Sequence, residues 1–262
     1  MLPTVDFCGL KLTRLLIGAN PFGGFSHQNK QRSEEMLAYH TPERIHEAWD
    51  RAWAAGINTF VTNNETPHVI KATRDYIAQG GPMQWIAQVS FRSLGTMQFA
   101  IDQAVEIGCK AMYFHGGLTD NLFLERDANT LREWVKYAKD KGIPVGVAGH
   151  APAAHYWVND LDIVDFHTVC FFDCGSVHNK AGEKFRLGDV FEAVKVIQTV
   201  EKPCIGYKIL AAGRIDAQMA FEYAFDNIKP GDVVNVGMHR GDKDNMIEEN
   251  VAHVEKALAA KK

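Results

Sequence analysis

The stretches "AMYFHGG" at residues 111–117 and "PVGVAGH" at residues 144–150 decide how this chain is read. Each is an apolar run of strand length that breaks into a histidine and a loop containing glycine or proline. The segment between them has a helical pattern that stops at Gly142, where a left-handed residue closes the last turn. A strand, a helix and a second strand in this order imply parallel pairing through a right-handed crossover.

Working outward, the same unit recurs. Strand-like runs lie at residues 14–20, 57–63, 84–90, 164–173, 203–210 and 233–239, which with the first two makes eight. Amphipathic segments separate them. "TPERIHEAWDRAWAAG" opens with Thr41 as a cap and Pro42 at the first helical position and ends at Gly56; Gly80 and Gly108 close further helices. The last segment, residues 243–260, sets Ile247, Val251, Val254 and Leu258 on one stripe. Eight such units in 262 residues predict a closed α/β barrel of the (β/α)8 TIM type, one domain over residues 1–262. An open doubly wound sheet is the competing architecture, but "GANPFGGF" at residues 18–25 does not have the GxGxxG spacing of its phosphate turn.

Composition narrows the function. Hydrophobic residues make up 46% and charged residues 23%, as in ordinary water-soluble domains, and the net charge of −4 with interspersed signs gives no footprint for nucleic acid. No run approaches a membrane span, and the first residues lack a secretory pattern, so a cytoplasmic protein is expected. Five dispersed cysteines (Cys8, Cys109, Cys170, Cys174, Cys204) argue against a disulfide framework, and the Cys170/Cys174 spacing has no second pair to make a zinc knuckle. The expected partner is a small-molecule substrate, with a homo-oligomer left open.

In such barrels the chemistry sits at the C-terminal ends of the strands. Those ends supply Asn20, Glu65, His68, Gln88, His115, His150, Asp173, Lys208 and His239. Lys208 is the sharpest signal, an ammonium group within the apolar run "PCIGYKIL". A lysine there either pairs with a carboxylate, for which Asp173 on the preceding strand is the expected partner, or acts as base, Schiff-base former or oxyanion holder. His115 and His150, at matching ends of adjacent strands, suit proton transfer or metal ligation. Either alone also reads as a structural histidine. His68, His115 and His150 form one candidate divalent-metal set, with helix entry at residues 64–68 as the plainer reading of His68. Arg214 and the glycine-containing turns after the last two strands are candidates for gripping a phosphate or carboxylate. Residues 21–40 and 174–187 are long enough to be lids, with Gly23, Gly24, Gly175 and Gly182 as flexible points and Phe22 and Phe25 as an apolar wall.

The framework, from "GINTFVTN" through "KAMYFHGG", "GIPVGVAGH" and "GYKILAAGRI" to "VVNVGMHRGDKDNMIEEN", resembles the aldo-keto reductase barrel over nearly the whole chain. That resemblance implies NADPH-dependent carbonyl reduction by an aspartate and tyrosine after strand two, a lysine on strand three and a histidine on strand four. Here Val61 stands at the aspartate position, no tyrosine lies between Thr62 and Lys71, and Gln88 matches the lysine; His115 alone corresponds. Gly237 and Asn250 best match the cofactor-holding region. The chain is thus similar to barrels that lack the reductase tetrad.

The favoured expectation is an enzyme of proton-transfer chemistry, by elimination, isomerisation or hydrolysis, on a small polar carbonyl or sugar-like substrate. Lys208, His115 and His150 are its catalytic residues; Asn20, Glu65, Gln88, Asp173, Arg214 and His239 hold the substrate. A divalent metal is an option for the histidines, and NADPH is less favoured. The alternatives are an NADPH-dependent aldo-keto reductase with a rearranged site, and a barrel that binds a metabolite without catalysis.

Overall fold

Eight parallel strands close on themselves, in the order β10, β3, β4, β5, β6, β7, β8, β9 around the ring. They are β3 (Leu15–Gly18), β4 (Thr59–Asn63), β5 (Gln84–Val89), β6 (Ala111–Phe114), β7 (Val145–Gly149), β8 (Phe166–Cys170), β9 (Cys204–Tyr207) and β10 (Val233–Gly237). The structure, a computed structural model, describes residues 2–174 and 185–260. The closed barrel is the architecture expected from the alternating pattern, and each strand falls inside the run assigned to it.

Burial explains why the strands read as nearly continuous apolar runs. Parallel strands of a barrel are covered on both faces, by helices outside and by opposing strands inside. Trp49, Phe60, Trp85, Phe114 and Phe221 fill the layer between strands and helices. A separate interior cluster holds Leu16, Val61, Ile86, Tyr113, Phe166, Ile205 and Val233. Among the described residues no helix is long and apolar enough to cross a membrane.

Two features depart from the expected plan. The chain begins with a hairpin, β1 (Thr4–Phe7) and β2 (Leu10–Thr13), that closes the N-terminal end of the barrel. Phe7 and Leu12 join the interior cluster, and the Phe7 ring meets Phe166 edge-on at 5.2 Å. With that end plugged, the cavities lie at the opposite end, where the strands finish. The second departure is α1 (Lys30–Tyr39), a helix inside the stretch expected to be an open loop. Asn29 caps it by accepting from the Arg32 amide, but Met36 is its one fully buried residue, so the apolar stripe that announces most helices is missing.

The remaining helices follow the strands as the pattern requires, with α5 (Gly116–Glu125) and α6 (Ala128–Lys139) both between β6 and β7, and α7 (Pro152–Leu161) after β7. Thr41 and Pro42 open α2 (Pro42–Ala54) as expected, the threonine accepting from the Arg44 amide.

Candidate active site

Strands β6 and β7 hand over directly to helices α5 and α7, and the hand-over residues are His115 and His150. His115 is the N-cap of α5: its Nδ1 accepts the amide hydrogen of Gly117 at 3.1 Å. An imidazole nitrogen that accepts carries no proton, so the neutral ring is protonated at Nε2. Burial, reinforced by the charges of Arg92, His150 and Lys208, lowers the His115 pKa to about 3, which keeps the ring neutral.

His150 is held in the opposite sense. Its Nδ1–H donates to Asp120 Oδ2 at 2.9 Å, and the amides of His150 and Ala151 donate to the same carboxylate at 3.2 and 3.3 Å. Ala151, the N-cap of α7, has no capping side chain, so Asp120 reaches across from the second turn of α5 to cap that helix. Burial works against the Asp120 charge, but the hydrogen bonds from His150 and the two amides outweigh it and hold the carboxyl below its usual range. The ionised carboxylate accepts only, so Nδ1 of His150 carries a proton, and in the neutral tautomer this selects Nε2 is the bare nitrogen.

The glycines of "HGG" make this junction. A Cβ on Gly116 would lie 2.9 Å from Cε1 of His150, and one on Gly117 would lie 3.0 Å from a guanidinium nitrogen of Arg92. Both residues have room only for hydrogen where side chains crowd the first turn of α5.

Lys208 follows the last residue of β9 and has a left-handed backbone (φ +55°), as do Ala211, Ala212 and Gly213. Its ammonium lies 5.7 Å from the centre of the Tyr207 ring, which also meets the His150 ring at 6.1 Å. Tyr207 thus contacts both the lysine and the histidine, and burial holds its phenol well above the ordinary range. The expected ion pair between Lys208 and Asp173 does not form. Among the described residues Lys208 has no carboxylate within bonding distance, and the Asp173 amide binds Asp189.

These groups line a cavity of about 660 Å³ at the C-terminal mouth. His115, His150, Lys208, Asn20, Gln88, Glu65 and Asp173 all border it, together with Arg92 and Asp120. A smaller lobe of about 220 Å³ shares Asn20, Gln88, Tyr207 and Lys208 and extends toward β10 and α1. Glu65 accepts from the Ser93 amide at 2.9 Å, Gln88 accepts from the Tyr113 hydroxyl at 3.3 Å, and Asn20 donates to His27 Nε2 at 3.2 Å.

Three expected site residues sit elsewhere. His68 donates from Nε2 to the Phe22 carbonyl at 2.7 Å and lines neither lobe, so the proposed metal set loses its third ligand. Among the described residues no group of three or more His, Cys, Asp or Glu is placed to hold a metal ion. Arg214 also lines neither lobe: its guanidinium donates to the carbonyls of Ala211 and His27, tying the turn after β9 to the segment before α1. His239 borders the smaller lobe only, with Nδ1 3.0 Å from Nε2 of buried His40.

The expected lids fare differently. Gln28 donates to the Ala212 carbonyl at 2.7 Å and Arg32 pairs with Asp242, so residues 26–32 are fastened over the smaller lobe. Phe25 borders both lobes, whereas Phe22 is part of the core, packed on His40 and Trp49. Of the second lid, residues 175–184, with Gly175 and Gly182, lie outside the described residues.

Asp120 and Arg92 were not among the residues singled out from the sequence. Arg92 stands two positions beyond the end of the third barrel run, where a strand-end reading could have reached it. Asp120 lies inside a helix, and nothing in its spacing announces that it returns to His150.

The residues present do not fit an NADPH site. The basic side chains after β10 are already engaged, Arg240 with Glu47 and Asp244 and Lys243 with Glu249, and Arg51 of α2 pairs with Asp244 and Glu248 of the same segment. Asn250 is buried in α10 (Met246–Ala259), and Gly237 abuts the Pro21 ring. At the reductase positions, Val61 is an interior residue of β4 and Gln88 accepts from the Tyr113 hydroxyl.

No family model matches the chain, and no curated protein matches it. Among solved structures, a Pseudomonas aeruginosa protein provisionally described as an aldo-keto reductase is similar at TM-score 0.67 and 17% identity, covering 98% of this chain and 94% of its own. The 3-hexulose-6-phosphate synthase of Salmonella typhimurium is similar at TM-score 0.60 and 16% identity, over 95% and 99% of the two chains. The N-acetylmannosamine-6-phosphate 2-epimerase of Clostridium perfringens is similar at 0.56 and 13%, over 90% and 92%. At these identities the likeness is one of fold: the chain has the closed parallel barrel that an aldo-keto-reductase-like protein and enzymes of other chemistry share.

Proposed function

We propose that this chain is an enzyme that moves a proton on a small polar carbonyl or sugar-like compound, by isomerisation or elimination, with hydrolysis as the remaining outcome. The observation that carries the proposal is the opposed protonation of two histidines on one cavity. His150 offers a bare Nε2, and His115 offers a protonated one. One accepts a proton while the other donates a hydrogen bond.

In this reading His150 Nε2 takes the proton from the carbon next to the substrate carbonyl, and the imidazolium returns it to the neighbouring carbon in isomerisation or to the departing hydroxyl in elimination. The imidazolium that results is stabilised by Asp120, which already fixes the ring. Negative charge then develops on the carbonyl oxygen. His115 stays neutral under the combined effect of burial and nearby cations, so its Nε2–H serves as a fixed donor to that oxygen. Lys208, on the same cavity and beside Tyr207, supplies a second, charged donor. Asn20 and Gln88, at the ends of β3 and β5, orient hydroxyl groups. No metal and no nicotinamide enters these steps. The names of two similar barrels specify phosphorylated sugars, which agrees with a polyhydroxylated substrate.

The test is solvent exchange. A panel of ketoses and aldoses is incubated with the protein in D2O, and deuterium entry beside the carbonyl is followed by proton NMR. Exchange is expected for at least one compound and should vanish in Lys208→Met and His150→Gln with the circular dichroism unchanged. Undiminished exchange in Lys208→Met would remove Lys208 from the mechanism, and absence of exchange across the panel would sink the proposal.

A further inference from the structure

We infer that the substrate of this cavity carries a terminal anionic group, a carboxylate or a phosphate monoester, held by Arg92; the inference rests on the proton-transfer reading above. It follows from which groups of the larger lobe the protein leaves unengaged. The acids are occupied. Asp120 accepts from the His150 ring and two amides, Glu65 accepts from the amide and hydroxyl of Ser93, and Asp173 also has a partner. The cations are not: Arg92 and Lys208 border the lobe and form no ion pair among the described residues. The unengaged capacity of the cavity wall is therefore mainly that of hydrogen-bond donors and positive charge, and the ligand that complements it is negative.

Arg92 is also placed for this task. It follows β5 by three residues, and its guanidinium lies against Gly117, where a Cβ would stand 3.0 Å from one of its nitrogens. The planar fork of donors thus lies close to His115, on the same cavity as Lys208 and Tyr207. A guanidinium binds a carboxylate or phosphate through two parallel hydrogen bonds, which fixes direction as well as position. An anion anchored on Arg92 orients the rest of a short polyol so that its carbonyl end is presented to His115 and His150. The glycine pair of "HGG" then has two separate reasons: Gly116 admits the His150 ring, and Gly117 admits Arg92.

Isothermal titration of matched ligands tests this, with D-fructose, D-fructuronate and D-fructose 6-phosphate as probes at low ionic strength. At least one charged sugar is expected to bind about ten- to a hundredfold more tightly than the neutral one, the range for a charge-assisted hydrogen bond. Arg92→Gln should erase most of that ratio and leave D-fructose affinity unchanged. Equal affinities, a preference that survives in Arg92→Gln, or no binding by any of the three would overturn the inference. The deuterium exchange assay separates it from the reading it rests on. Exchange without a charge preference sinks the anion inference alone, and charge preference without exchange sinks the proton-transfer reading alone.

Discussion

The His150 ring occupies the space that a side chain at residue 116 would need: a Cβ on Gly116 would stand 2.9 Å from Cε1 and 3.1 Å from Nδ1 of that ring. The nitrogen it would crowd is the one bonded to Asp120. Gly116→Ala is therefore expected to push the imidazole aside and lengthen that bond, with little effect on the barrel. Catalytic exchange should fall by about tenfold or more, the scale on which misplaced catalytic groups lose rate. An exchange rate in Gly116→Ala equal to that of the parent would show that the ring has room to spare.

Asp120 gives a second, sharper prediction. Its carboxylate accepts from three donors, and the amide of Asp120→Asn keeps only one accepting oxygen for them. The ring is then free to present the wrong nitrogen to the cavity. The rate of exchange is expected to fall by about 10²- to 10⁴-fold, as for other histidines deprived of the carboxylate that fixes their tautomer. Binding of a charged sugar to Arg92 should change far less. A variant that loses binding and rate together would mark Asp120 as a structural residue alone.

How much of this was visible beforehand depends on the range of the interaction. The eight strands follow from local apolar runs and from glycine and proline at their ends, so the barrel and the polar strand ends were legible. That His115, His150 and Lys208 would border one cavity was legible because they stand where apolar runs stop. The hairpin at Thr4–Thr13 was not, since its strands are four residues each and Phe7 is buried by Phe166, far along the chain. Asp120 was missed for the same reason, because its partner lies 30 positions away, just past the end of β7. His68 misled for the opposite reason. It is close in sequence to the second strand end, yet its ring turns back to the Phe22 carbonyl.

Acid should unfold the protein through its buried histidines. His155 and His167 face each other in the core at 3.1 Å, between α7 and β8, and His155 also donates to the Gly149 carbonyl. Burial lowers the His155 pKa to about 4, and burial together with the neighbouring ring holds His167 well below the ordinary value. Both groups bind protons more readily unfolded than folded. Their contribution is thus fully present above the unfolded value near 6.5 and is lost as pH falls from there toward the folded values. For His155, with its folded value at about 4, the loss by pH 5 is about 2 kcal/mol, and His167 adds to it in the same direction. Urea midpoints measured at pH 7 and pH 5 should show this loss, and His167→Gln should reduce it. A midpoint independent of pH over that range would contradict the buried neutral pair.

The turn after β9 is strained, and the strain lies close to Lys208. Ala212 has φ of +56° beside Gly213 at +83°, and its carbonyl is fixed by Gln28. A left-handed alanine costs about 1–2 kcal/mol, whereas glycine there adds an entropic cost of about 0.5–1 kcal/mol in the unfolded chain. The first effect is the larger, so Ala212→Gly is expected to raise stability by about 0.5 kcal/mol in chemical denaturation. Ala211 is a poorer target, because its methyl is fully buried and its loss would offset the relief. If Ala212→Gly instead destabilises the fold, packing of the methyl group against the smaller lobe outweighs its backbone strain, and the turn is held by side-chain contact rather than by the Gln28 and Arg214 hydrogen bonds alone.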